Sequence, residues 1–127
     1  MQCRGIRGAI AVPANDRDSI LAATRRLLME IVKANEVEVG NIAAIFFTTT
    51  PDLDAEFPAA ATRDLGWPSS LALLCGHEMN VPNALPQCLR ILMLVNTERE
   101  PETITHIYLG EAKSLRNKTS ISVGGNA

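Results

Sequence analysis

The chain has 127 residues, of which 46% are hydrophobic and 20% are charged, as in ordinary globular domains of this size. Its 12 Lys and Arg and 14 Asp and Glu give a net charge of −2, and aromatic residues make up only 4%. This composition argues against a basic surface for nucleic acid or an anionic membrane, and against a platform for base stacking.

The N-terminal part of the chain predicts a strand, a helix and a second strand. Residues 2–12 form a glycine-punctuated apolar segment that Pro13 ends. From Ser19 to about Asn35 the apolar residues recur near a 3.6-residue period, which predicts an amphipathic helix packed on a sheet. The polar residues just before it offer N-cap oxygens. The apolar run at 42–49 is rich in strand formers and predicts a buried strand.

The rest of the chain predicts a short helix and three more strands. The helix covers about residues 59–65, since Pro58 suits a first helical turn and Gly66 suits a helix end. Apolar runs predict the strands, which cover residues 70–75, 87–96 and 105–115.

The predicted order β-α-β-α-β-β-β is typical of a single α/β (or α+β) domain. We expect a mixed sheet of about five strands with the helices packed on one face. The last segment, 117–127, is polar and contains glycine, so the sequence predicts a domain at 1–116 and a flexible C-terminal tail.

The cysteine pattern indicates a reducing compartment. Cys3, Cys75 and Cys88 are odd in number and form no C-x-x-C pair, which favours free thiols over a disulfide framework. The chain opens with no signal-peptide pattern, and no apolar run reaches 18 residues. We therefore expect a soluble, cytoplasmic protein that does not associate with membranes.

Arginines in apolar or glycine-rich surroundings are the most informative residues. Arg90 lies in the middle of the apolar segment 87–96, and its neighbours Leu89 and Ile91 suggest a strand buried on both faces. A buried guanidinium needs a carboxylate, a phosphate or another acceptor. Arg7 precedes Gly8, where the lack of a side chain would let a ligand approach the backbone. For an arginine such as Arg7, an ion pair within the chain or a guanidinium in water is an equally good interpretation, but it explains Arg90 less well because of its apolar neighbours.

Other clusters of reactive side chains are weaker. Cys75, His77 and Glu78 could bind zinc, but the other histidine, His106, brings no second pair at metal spacing, so we expect no metal. Cys75 and His77 could form a nucleophile and base, yet no third orienting residue is evident. The acidic residues between 52 and 56 are interpreted as a solvated loop. No phosphate- or dinucleotide-binding motif occurs, so we expect no cofactor. These residues favour a small anionic ligand held by fixed positive charge and by one carboxylate, Glu78.

Five segments in order carry a resemblance to a known family. They are "RGIRGA" at 4–9, "TPDLDAEFPA" at 50–59, "C-x-x-EM" at 75–79, "CLRILM" at 88–93 and "HIYL" at 106–109. Over about residues 2–116 the chain resembles the AroH class of monofunctional chorismate mutases. The resemblance implies a cofactor-free Claisen rearrangement of chorismate to prephenate, in the shikimate-pathway branch to Phe and Tyr. It also implies a homotrimer that forms a pseudo-β-barrel, with active sites at the subunit interfaces.

The resemblance also implies a role for individual residues. Arg90 would contact the breaking ether oxygen, Arg7 would hold a carboxylate, and Tyr108 would hydrogen-bond the ligand on the same side. Glu78 would accept a hydrogen bond from the ring hydroxyl, near the backbone of Cys75. The remaining contacts would come from the neighbouring subunit, through Phe57, Ala59 and Arg63, and from the mouth of the site, through Leu115 and Arg116.

Two departures and two alternatives accompany this resemblance. The family often has a lysine where this chain has Ala60, and a small polar residue where it has Leu74. One alternative is a trimeric binding or regulatory protein for a small carboxylate, without turnover. The other is a deaminase on a related trimeric fold, which would also hold a carboxylate with an arginine.

Overall fold

In the computed structural model, which describes residues 1–115, five strands form one mixed sheet. The strands are β1 (Gln2–Ala11), β2 (Ile42–Thr49), β3 (Ala72–His77), β4 (Cys88–Thr97) and β5 (Ile107–Leu109). Their spatial order is β3-β2-β4-β1-β5. The central strand β4 is antiparallel to β1 and β2, whereas β3 is parallel to β2 and β5 is parallel to β1. The predicted fold class, a mixed sheet with helices on one face, is confirmed.

The helix α1 (Arg17–Asn35) covers one face of this sheet. Its N-cap is Asp16, whose carboxylate accepts a hydrogen bond of 2.7 Å from the Ser19 amide. It ends at Glu36, which has a left-handed backbone with φ of 50°. The buried face of α1, which includes Leu27, packs into the main core. No helix within residues 1–115 is long and apolar enough to cross a membrane.

The contact between α1 and β1 is close enough to need a glycine. A Cβ atom at Gly8 would lie 2.8 Å from Cδ1 of Ile31 and 3.1 Å from Cδ1 of Leu27. A real Cβ atom essentially never lies 2.8 Å from another heavy atom, so a larger residue here would require the ends of the Ile31 and Leu27 side chains to shift. The absence of a side chain at Gly8 therefore lets the helix pack closely on the sheet next to Arg7.

Within a single chain, β4 is buried on one face only, so the prediction that both faces are buried is wrong for the chain by itself. Leu89, Ile91 and Met93 are buried against the helical layer, whereas Arg90 and Leu92 are exposed. Successive side chains of a strand point to opposite faces, so Leu89 and Ile91 flank Arg90 in sequence but lie together on the other side of the sheet. We call the side that carries Arg90 the open face.

The C-terminal elements differ most from the predicted ones. The last strand has three residues, because Gly110 takes a left-handed backbone with φ of 60° and begins a 3-10 turn. The short helix α2 (Ala60–Asp64) and strand β3 are present within two residues of their predicted positions. The predicted tail at 117–127 and the predicted contact residue Arg116 lie outside the described residues.

The acidic loop between β2 and α2 is exposed, as the sequence predicts, and hydrogen bonds also hold it in place. Asp52 is exposed but accepts the Gln87 amide at 3.0 Å and the Thr50 hydroxyl at 2.5 Å. Thr50 Oγ1 in turn accepts the Cys88 amide at 3.0 Å. Gln87 has a left-handed backbone with φ of 47°. These bonds therefore fix the start of β4, two residues before Arg90.

Candidate active site

A row of residues crosses the described sheet from edge to edge on the open face. Strand pairing places Thr48 between Gly76 and Arg90, and it places Ala9 between Arg90 and Tyr108. Directly paired residues lie on the same face. Neighbouring strands are about 4.8 Å apart, so Tyr108 and Arg90 lie two strands apart, with only the small Ala9 between them.

The next row on the open face is apolar except for its last member. Leu74, Phe46 and Leu92 are paired across β3, β2 and β4, and Arg7 on β1 is paired with Leu92. All three apolar side chains are exposed, Leu74 to 62%. The backbone of Arg7 donates a hydrogen bond of 2.9 Å to Nδ1 of His106. Arg7 and Arg90 thus lie on one face with an apolar surface beside them.

Glu78 follows the end of β3 and lies next to Arg90. Its amide donates to the Thr49 carbonyl at 2.8 Å, which holds the backbone beside β2. Its Oε2 accepts the Thr48 hydroxyl at 2.5 Å and lies 3.8 Å from Nε of Arg90. The Glu78 and Arg90 side chains are 34% and 49% exposed, so water screens this pair and its net stabilisation is about 1 kcal/mol or less. The guanidinium keeps N–H donors for a ligand.

A small second core lies on the open face beside Arg90. Ala9, Cys88 and Ala112 are buried there, and the partly buried Tyr108 and Leu115 pack against them. Burial raises the pKa of the Cys88 thiol, while the nearby Arg90 charge acts in the opposite direction. The thiol is therefore neutral at neutral pH, and this cluster gives one side of the site an apolar wall.

The other predicted contact residues lie on the helical side of β3. Ala59 and Arg63 line a groove of about 470 Å³ beside α2, and Phe57 lines this groove and a second one that includes Cys75. Phe57 is 71% exposed. Burial raises the pKa of the Cys75 thiol, and a hydrogen bond with the Ala59 backbone acts in the opposite direction. Cys75 and Ala59 are therefore neighbours within one chain.

The predicted site residues thus form two groups on opposite sides of the sheet. We call them the open-face group (Arg7, Glu78, Arg90, Tyr108 and Leu115) and the helix-side group (Phe57, Ala59, Arg63 and Cys75). Cys75 and Gly76 lie on opposite faces of β3, because successive residues of a strand alternate between the two faces of the sheet. Edge strand β3 separates the two groups, so they do not come together within one chain.

Thr48 is a residue of this site that the sequence did not reveal. It lies at the end of an apolar strand, where a single Thr is an ordinary strand former. Its contact with Glu78 depends on the registers of β2 with β3 and with β4. The sequence does contain a polar side chain at this position. Only the strand registers show that it lies on the same face as Arg90 and directly beside it.

The Cys75 and His77 pair forms no evident nucleophilic site. Both side chains lie on the helical side of β3, and the His77 Nδ1 atom is 3.0 Å from the Thr49 hydroxyl. Because burial raises its pKa, Cys75 is a neutral thiol at neutral pH, and a thiolate is the reactive form. Within residues 1–115, no three His, Cys, Asp or Glu side chains are grouped so that they could hold a metal ion.

The fold is that of a small α/β protein, and the guanidinium groups of Arg7 and Arg90 on its open face are suited to a compact anion. Residues 3–119 match the family Chorismate mutase type I. The chain is similar to Chorismate mutase AroH of Thermus thermophilus, with 42% identity over 114 residues, covering 89% of this chain and 93% of that protein. The Bacillus subtilis (strain 168) protein of the same name is 37% identical over 123 residues, covering 96% of each chain.

A solved structure supports the same assignment. It is that of a chorismate mutase from Clostridium thermocellum, with a TM-score of 0.84 and 46% identity, covering 87% of this chain and 97% of that one. The chain therefore belongs to the chorismate mutase type I family. The predictions of an AroH-class chorismate mutase, and of an isomerase, are confirmed.

Proposed function

We propose that this chorismate mutase converts chorismate to prephenate by electrostatic stabilisation at the open-face group, with Arg90 as the main catalytic residue. This reaction belongs to aromatic amino-acid biosynthesis. The observation that carries the proposal is the row on the open face, in which Arg90 lies between Thr48 and Ala9, with Glu78 beside it and Tyr108 at its far end.

The rearrangement needs no proton transfer and no covalent intermediate. As the ether C–O bond breaks and the new C–C bond forms, negative charge grows on the ether oxygen. A guanidinium fixed at that oxygen stabilises the transition state more than the substrate. Arg90 is suited to this role because its strand is central in the sheet and the start of that strand is pinned by Thr50 and Asp52.

The other members of the open-face group would bind the substrate in its compact shape. Arg7 supplies a second positive charge for a carboxylate, and Tyr108 supplies a hydroxyl donor on the same side. Glu78 is positioned to accept the ring hydroxyl, and Leu115 adds an apolar wall. Holding both reacting carbons close together lowers the entropic part of the barrier. We propose that Arg116 closes the mouth of the site, at the end of a catalytic domain that covers 1–116.

We propose that the complete site forms between two copies of the chain. In a ring, the helix-side group of one copy would face the open-face group of the next, which is a heterologous contact. The exposed apolar side chains of Phe46, Leu74 and Leu92 support such a contact, since exposed apolar patches mark interfaces. The ring geometry does not fix the number of copies, and the resemblance to the AroH class favours three.

A cytoplasmic location stays a prediction and is supported by the cysteines. Cys3, Cys75 and Cys88 are all free, as expected in a reducing compartment.

The direct test is a turnover assay. Purified protein is mixed with chorismate, and its loss is followed by ultraviolet absorbance and the formation of prephenate by chromatography. Arg90→Ala protein serves as the control for contaminating activity. Chorismate that is bound but not converted would favour the non-catalytic binding protein. Release of ammonia from imine or enamine substrates, without chorismate turnover, would favour the deaminase.

A further inference from the structure

We infer that Thr48 is a positioning residue that holds the Glu78 carboxylate away from full pairing with Arg90. This inference rests on the proposed roles of Glu78 and Arg90. The observation is the contact that places Thr48 Oγ1 2.5 Å from Glu78 Oε2 while Nε of Arg90 lies 3.8 Å from the same oxygen. The Glu78 carboxylate is therefore hydrogen-bonded to the neutral Thr48 hydroxyl and not to the charged Arg90 guanidinium.

Thr48 is a rigid anchor for this contact. It lies on β2 and is paired with Arg90 on β4 on one side and with Gly76 on β3 on the other. A β-branched side chain in a strand has restricted χ1 freedom, so its hydroxyl has a nearly fixed position. Glu78 is different, since it follows the end of β3 and has a long flexible side chain. The rigid residue therefore determines where the flexible one lies.

If the Thr48 hydroxyl were removed, the Glu78 carboxylate would pair with the Arg90 guanidinium more favourably than with water. A carboxylate that moves about 1 Å would reach hydrogen-bond distance from the Arg90 guanidinium, where charge-assisted bonds of about 2.8 Å form. Such a pair would occupy N–H donors that the substrate needs. It would also neutralise the charge that stabilises the ether oxygen in the transition state. Arg90 and Glu78 can act as separate groups because Thr48 keeps their ion pair loose.

Thr48 also gives the two oxygens of the Glu78 carboxylate different roles. Oε2 is taken by the Thr48 hydroxyl, while Oε1 makes no hydrogen bond within residues 1–115. The ring hydroxyl of the substrate therefore has one oriented acceptor available to it. Loss of Thr48 is expected to impair both the orientation of this acceptor and the freedom of Arg90.

The test compares three single substitutions. Thr48→Val keeps the shape and the strand preference but removes the hydroxyl, and we expect kcat/KM to fall about 10-fold, with kcat itself reduced. Thr48→Ser keeps the hydroxyl and should retain most of the activity. Thr24→Val is the matched control, because Thr24 is buried in α1 and donates to the Ile20 carbonyl at 2.7 Å, on the other side of the sheet. It should leave kcat/KM close to that of the unsubstituted protein.

A double-mutant cycle separates positioning from a general structural effect. In a Glu78→Ala background, Thr48→Val should cause no further loss, since the carboxylate that it positions is gone. Equal losses in both backgrounds, or a Thr48→Val protein as active as the unsubstituted one, would overturn the inference while leaving the proposed function intact. If Glu78→Ala itself kept full activity, the inference would also be wrong. Failure of the unsubstituted protein to convert chorismate would instead overturn the proposed function.

Discussion

At the scale of single residues, the position of Arg90 explains how a full charge is tolerated in an apolar strand. Its side chain is 49% exposed on the open face of the sheet, so in the single chain the guanidinium remains hydrated and the cost of its charge is small. Leu92 beside it and Ala9 across from it are apolar. Once a substrate and a second subunit cover this face, the same charge would act in a dry environment, where it is worth more.

We predict that Arg90→Ala lowers kcat by at least 100- to 1,000-fold, roughly the effect of removing one oxyanion donor. Arg90→Lys should also lose most of the activity, since an ammonium group cannot reproduce the planar guanidinium fork. Steady-state kinetics would measure both effects. Circular dichroism should show an unchanged fold, because the side chain packs on the exposed face. Near-normal turnover by Arg90→Lys would refute a role that depends on guanidinium geometry.

The second prediction at this scale is a flat pH dependence. Burial raises the pKa of the Cys75 and Cys88 thiols above the ordinary 9.0, so both stay protonated at neutral pH. Any stability that these neutral thiols contribute is fully present below pH 9.0 and is lost as the pH rises through their raised pKa values. The rearrangement moves no proton, so kcat/KM should vary little between about pH 6 and 8.

Histidine and chelator experiments complete this prediction. His77→Asn should remain active, since His77 lies on the helical side of β3 and contacts Thr49 rather than the open-face group. EDTA should have no effect. A bell-shaped pH profile, an inactive His77→Asn protein or sensitivity to EDTA would favour acid–base or metal chemistry.

At the scale of elements, the registers of the sheet determine the site. Tyr108, Ala9, Arg90 and Thr48 come from four segments that are distant in sequence, and they meet because β5, β1, β4 and β2 are neighbours at one level. The close contact of α1 with β1 at Gly8 keeps this part of the sheet in place. Packing on the helical side should therefore affect the open face through the backbone of β1.

We predict that Gly8→Ala lowers the free energy of unfolding by about 1–3 kcal/mol, the usual cost of overpacking. Gly40→Ala is the control, since an added Cβ there meets no atom within 4 Å. Ile31→Val removes the Cδ1 atom nearest to the added methyl group. The double variant Gly8→Ala, Ile31→Val should therefore be less destabilised than the sum of the single changes. Urea unfolding measures all four proteins, and strict additivity would show that this contact does not limit the approach of the helix.

Local sequence patterns predicted which helices and strands form better than they predicted the face of the sheet on which each side chain lies. The spacing and composition of the apolar residues were sufficient to predict α1 and β2, because the buried side chains of each element recur at a regular spacing. They failed for β5, where a left-handed Gly110 ends the strand, and for Arg90, whose flanking leucine and isoleucine lie on the opposite face. The site residues came from the family resemblance. Thr48 could not be found by either route, because its role depends on which strands are neighbours.

At the scale of the whole molecule, the separation of the two groups requires an explanation. The open-face group has charge and a hydroxyl but is open to solvent, whereas the helix-side group has the exposed Phe57 and Arg63 across β3. A chain of this kind is expected to be poorly active alone. Assembly would complete each site with residues from two copies, and it would cover Phe46, Leu74 and Leu92.

We predict a homotrimer in sedimentation and complementation between inactive chains. Arg63→Ala and Arg90→Ala proteins should each be impaired, and equal amounts are unfolded together and refolded. If a site combines the open-face group of one copy with the helix-side group of the next, about one quarter of the sites in randomly mixed trimers carry both arginines, since each half is intact with a probability of one half. Activity should therefore return to about one quarter of that of the unsubstituted protein, well above either variant refolded alone. Mixed trimers verified by mass but without recovered activity would place both arginines in one chain's own pocket, and a monomer would exclude the shared site altogether.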